Sequence, residues 1–180
     1  MNTIDFAWER RLADLWTRLD ECEAAAFVEA MRQLTDELPE GDPVALFERG
    51  AAHDSTGSPE QAVALYESAL EAGLGGLRRR RANIQMASSL RNLGQPRRAA
   101  DLLSEEMRQP SDELDQALAA FLALALADLR AVAIELPGRH LVVAPALDEQ
   151  HGLPELRGLP RGVVGAQAYD FLTPISIAVI

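Results

Sequence analysis

Residues 55–70, STGSPEQAVALYESAL, and residues 92–107, NLGQPRRAADLLSEEM, share one framework. Each carries Gly-x-Pro-x-x-Ala and then an aliphatic-rich run. Gly57 maps onto Gly94, Pro59 onto Pro96 and Ala62 onto Ala99, at a constant offset of 37 residues. Upstream, Gly50 meets Ala87 and His53 meets Leu90 at the same offset. Glycine suits a helix-ending turn with positive φ, and proline suits the first position of the helix that follows. Each unit therefore reads as helix, glycine turn, helix. Small residues at 50, 62, 87 and 99 let the two antiparallel helices approach closely. Self-similarity of this length is the mark of a repeat architecture.

Working outward, residues 5–37 read as two more helices. FAWERRLADLWTRL places Phe6, Trp8, Leu12, Leu15, Trp16 and Leu19 mostly three or four apart. DECEAAAFVEAMRQLTDEL follows, with Asp20 as its expected N-cap. LPEGDP then breaks the pattern, and Pro43 opens the next helix. A further copy starts at SDELDQALAAFLALALADL, 111–129, where Ser111, Glu113 and Asp115 form a capping signal. Arg130 then stands where a glycine is expected.

These residues resemble the tetratricopeptide repeat. Gly50, Gly57, Ala62, Tyr66 and Ala69 match its pattern in full. Ala87, Gly94, Ala99 and Leu103 match it in the next unit, where Glu106 departs from the last small position. DPVALFERGAAHDSTG and RRRANIQMASSLRNLG are also similar to segments of a bacterial subgroup, the group 5 tetratricopeptide domain. The resemblance covers roughly the first 130 residues and is strongest over 43–107. It implies an all-α solenoid, a right-handed stack of antiparallel helix hairpins that binds proteins or peptides. The expected organisation is a repeat domain at 1–130, with units near 5–38, 43–72, 79–109 and an incomplete 111–130, then an atypical tail at 131–180. That tail holds five of the ten prolines and five of the twelve glycines. AVAIEL could supply one short turn before Pro137. The tail reads either as a genuine irregular extension or as an altered, frameshift-like replacement of the family's helices, and the abrupt change of composition favours the second.

Composition narrows the function. The net charge of −11 opposes nucleic acid and anionic membrane. All 17 basic residues are arginine, which reads as the codon bias of a GC-rich, bacterial genome. Cys22 is the single cysteine, so no intrachain disulfide or thiolate cluster forms, and a reduced cytoplasmic setting fits. MNTIDFAWERR lacks the apolar core of a secretory signal, and no window holds 18 uninterrupted apolar residues. No Gly-x-Ser-x-Gly or His-Glu-x-x-His motif occurs. GLGG at 73–76 lacks the lysine of a phosphate loop and reads as a connector. His53 reads as a packing residue, while His140 and His151 have no metal-ligand spacing. Cys22 reads as inert, and no carboxylate pair stands out as an acid–base couple. The expectation is therefore a non-enzyme without cofactor or metal, whose partner is a protein or peptide. Pairing of two chains through Leu122, Leu124, Leu126 and Leu129 is the alternative.

The run Arg78–Arg81 cannot share one helix face, since successive helical residues point about 100° apart. It is expected to straddle a loop and a helix start, with some members pairing with the acidic first 42 residues. An anion or acidic-peptide site is the competing reading. The resemblance implies groove-facing positions at Arg81, Ile84, Gln85, Ser88, Arg91 and Asn92. Their counterparts are Val44, Phe47, Glu48, Ala51, Asp54 and Ser55 in the preceding unit, and Ala117, Ala120, Phe121, Leu124 and Asp128 in the next. Arg81, Gln85, Ser88, Arg91, Asn92, Asp54 and Phe47 are the candidate partner-binding residues. The opposing reading makes Ser88 and Ser89 alanine-like helix contacts and pairs Arg91 with Asp54. A chaperone-type carboxylate clamp needs lysines that this chain lacks.

Overall fold

The fold is seen in a computed structural model that describes residues 6–135, with side chains through residue 131. The described residues are helical: α1 (Phe6–Trp16), α2 (Ala24–Thr35), α3 (Pro43–Ser55), α4 (Pro59–Glu71), α5 (Gly76–Asn92), α6 (Pro96–Glu106) and α7 (Asp115–Glu135). The chain divides into Met1–Pro137 and a second unit, Gly138–Ile180, which lies outside the described residues. The two readings of the tail, with its histidines, lie there too.

The repeat framework folds as its residues dictate. Gly57 and Gly94 have φ of 81° and 70°. At each, two backbone bonds close the helix end. Gly57 N–H donates to Asp54 O at 3.1 Å and Ser58 N–H to His53 O at 2.8 Å, and the same pair recurs from Gly94 to Arg91 and Gln95 to Leu90. This is the glycine-terminated helix end in which a left-handed residue satisfies otherwise orphaned carbonyls. Pro59 and Pro96 then start α4 and α6. Asp42 caps α3, accepting from Val44 N at 2.8 Å and Ala45 N at 3.2 Å.

Helices α3, α5 and α7 succeed one another, each packed on the next, while α4 and α6 pack between successive members. The core runs through Ala51, Ala62, Tyr66, Ala69, Ala82, Ala87, Ala99 and Leu103. At the N-terminal end, Trp8, Leu12 and Leu15 of α1 meet Phe27, Met31 and Leu34 of α2, together with Ala52 of α3. Trp8 Nε1 donates to the Leu34 carbonyl at 3.0 Å, so the indole is buried without an orphaned donor.

Three local expectations are corrected. Asp20 does not cap α2: Leu19–Glu21 form a 3₁₀ turn and α2 begins at Ala24. Before α7, Asp112 rather than Ser111 takes up a free backbone N–H, that of Leu114 at 2.8 Å, while the Ser111 hydroxyl donates to Asp115. Residues 131–135 are not a separate turn but continue α7, because no glycine or proline interrupts 111–136.

A candidate partner-binding face on α5

Helix α5 packs on α3, α4, α6 and α7, and its polar side chains sort by side. Toward α6, Arg79 grips Glu106 through both nitrogens at 2.7 and 2.9 Å, and Asn83 Nδ2 adds a third bond at 2.7 Å. Glu106 is buried, yet both its carboxylate oxygens are satisfied. It stands where the preceding unit has Ala69, so Arg79 and Asn83 explain how a carboxylate occupies a small-residue position. Toward α7, Arg80 is 3% exposed. Its Nη1 donates to Pro110 O at 2.7 Å, Nη2 to Asp115, and Nε lies 3.3 Å from Asp112 Oδ1. Arg91 Nε donates to Asp128 at 2.7 Å on the same side. Toward α3, Ser89 Oγ donates to Asp54 at 2.6 Å. Arg78 Nε donates to Glu48 at 3.1 Å, and its Nη2 continues to Glu9 of α1 at 2.8 Å.

The arginine run is thus wholly helical, contrary to the expected loop-and-helix arrangement, because Gly76 already starts α5. Its members radiate to different neighbours, as the helical repeat requires. Of the four, only Arg78 reaches the acidic N-terminal region among the described residues. Arg91 pairs with Asp128 and not with Asp54, since the two lie on different sides of α5. Asp54 instead accepts from Ser89 and, at 3.5 Å, from the Tyr66 hydroxyl. Burial raises the Asp54 carboxyl above its ordinary value, opposed by those two hydrogen bonds.

Arg81, Gln85, Ser88 and Asn92 occupy the remaining side. At about 100° per residue this row lies opposite Arg79, Asn83, Met86 and Leu90, hence away from α6. Arg81 and Ser88 are half-buried and Asn92 is exposed. Among the described residues, Arg81, Gln85 and Ser88 have no hydrogen-bond or ion-pair partner. Gln85 is 8% exposed and its Oε1 is buried without a partner. A buried polar atom left this way is uncommon and costs free energy.

The neighbouring helices shape this face. On α3, Glu48 is buried under the Trp16 Nε1–H, which donates to it at 3.1 Å, and under Arg78. These side chains form a strut from α5 across α3 to α1. Phe47 is 2% exposed and packs on Tyr66, with ring centroids 6.0 Å apart. The structure therefore places Phe47 in the core and Asp54 in a hydrogen-bonded contact between helices, while Arg81, Gln85, Ser88 and Asn92 share one side. On α7, the row ending in Asp128 contains buried Phe121 and exposed Ala120 and Leu124. Sequence reading missed the Arg78–Glu48–Trp16 strut. The signal available was a charged residue, Glu48, at an inward-facing position.

The described residues hold no group of His, Cys, Asp and Glu arranged for a metal. No described helix is long and apolar enough to cross a membrane.

A family model described as tetratrico peptide repeat matches residues 43–142, more than half of the chain. With hairpins stacked in the order seen for α3 to α7, the chain belongs to the tetratricopeptide repeat family. No curated protein and no solved structure matches it.

Proposed function

We propose that the chain is a scaffold, not an enzyme, that binds a protein or peptide along the groove of its helical stack, with Arg81, Gln85, Ser88 and Asn92 as the contact. One observation carries this reading. The charged and amide side chains of α5 that face α3, α6 and α7 are paired, whereas Arg81, Gln85 and Ser88 on the open side have no partner among the described residues. A stack of hairpins shares one continuous core and leaves an extended surface for such contacts. A photo-crosslinking residue placed at Ser88 should capture a partner from extract of the source cell, and one at exposed Glu60 of α4 should not. Equal capture from both positions would reject the groove.

A second reading is self-association through α7, supported by Leu124 and Leu126, each 40% exposed on a helix that is apolar on most sides. Light scattering that shows a strict monomer at high concentration would reject it.

A further inference from the structure

We propose that the open face of α5 takes an extended segment of another protein through an internal aspartate or glutamate, seated on Arg81 and flanked by apolar residues. This rests on the reading of that face as the partner site and adds the chemistry of the partner.

The case is one of charge complementarity. Among the described residues, Arg78, Arg79, Arg80 and Arg91 of α5 are each neutralised by a carboxylate of the chain, and Arg81 is not. Three acids of the neighbouring helices α3 and α7 are engaged elsewhere: Glu48 by Arg78 and Trp16, Asp54 by Ser89 and Tyr66, Asp128 by Arg91. This face therefore presents a guanidinium with no ion-pair partner among the described residues, on a chain whose net charge is −11. A guanidinium offers a planar fork of donors that matches a carboxylate.

The residues beside it define the rest of the ligand. Gln85, one turn on, carries a buried amide oxygen with no partner, and Ser88 a half-buried hydroxyl with none. Both can bond the main chain of an extended segment, which offers donors and acceptors in alternation. Ala120 and Leu124 of α7 are exposed on the row that leads to Asp128, so an apolar side chain beside the acid finds apolar surface. Helix α5 is packed between α3 and α7, so a segment laid across it continues past Arg81 instead of ending there. That geometry favours a side-chain carboxylate over a chain terminus.

The probe is a random library of acetylated, C-terminally amidated dodecapeptides, selected on the immobilised full-length chain and sequenced. The expected result is enrichment of Asp or Glu at one position with apolar neighbours. Replacing that acid by its amide should weaken binding at least about tenfold, the scale of a charge-assisted pair. On the Arg81→Gln chain the same replacement should change affinity less than about twofold, and Arg81→Lys should restore part of the difference. Because Arg81 has no partner among the described residues, Arg81→Gln should keep the wild-type melting temperature, which separates lost binding from lost folding. Selected peptides without an acidic preference that still lose binding on Ser88→Trp would overturn the carboxylate and leave the groove. Selected peptides indifferent to Ser88→Trp would overturn the groove itself. Enrichment only in a parallel library with free C-termini, or no enrichment in either library, would also overturn the proposal.

Discussion

The Cβ that Gly50 lacks would stand 2.9 Å from Cδ1 of Tyr66. The ring is fully buried in close-packed surroundings, so a shift of it is costly. In the next unit the same two positions hold Ala87 and Leu103, a larger residue facing a smaller one. Gly50→Ala should therefore destabilise the fold by about 1–3 kcal/mol, the usual cost of overpacking a core. Tyr66→Leu in the same chain should recover part of that loss by recreating the Ala87–Leu103 pair. Chemical denaturation of the two single variants and the double variant measures the coupling. Strict additivity would contradict the close approach.

Glu106 bonds Arg79 and Asn83, where its counterpart Ala69 is a buried methyl. Glu106→Ala should cost about 2 kcal/mol or more, because the Asn83 amide is left buried with its donor unused. Adding Asn83→Leu, which restores the leucine found at position 46, should return most of it. The midpoint of urea unfolding reports both changes, and a double variant no better than Glu106→Ala would count against the pairing.

Burial raises the Glu48 carboxyl above its ordinary value of 4.5, with Arg78 and the Trp16 N–H pulling it down less strongly. The folded chain thus keeps this proton to higher pH than the unfolded chain. The stability it contributes is full below about pH 4.5 and declines as pH rises from there through the raised value. Asp54, raised from 3.8 chiefly by burial, acts in the same direction. Glu48→Gln removes one of the two, so its stability relative to wild type should improve as pH rises from about 4.5 through the raised value. Urea midpoints of both proteins across that range test the sign. A difference that shrinks with rising pH would mean that Arg78 more than compensates the burial.

The hairpins were legible because local chemistry sets them. Gly57, Pro59, Gly94 and Pro96 act through backbone geometry, which depends on residue type alone. The Asp20 expectation failed because a 3₁₀ turn at Leu19–Glu21 delays α2 until Ala24, and the spacing of apolar residues does not encode that delay. Pairings between units were harder still. Arg91 has an acid at the same repeat position on either side, Asp54 before it and Asp128 after it, and only packing decides that Asp128 is within reach. The resemblance implies a groove position for Phe47, but its ring packs on Tyr66 in the core. Spacing of three and four puts Arg81, Gln85, Ser88 and Arg91 on about one face, but Arg91 turns to Asp128 of α7 and Asn92 completes the row instead. That Arg81, Gln85 and Ser88 lack partners among the described residues is not legible in the sequence.

The most direct test of the central claim is amide hydrogen exchange of the full-length chain with and without a saturating selected peptide. Binding on the open side of α5 predicts added protection over residues 76–92 and the facing part of α7, residues 115–128, with α4 and α6 unchanged. Protection confined to α4 and α6, with α5 exchanging as in the free chain, would contradict it.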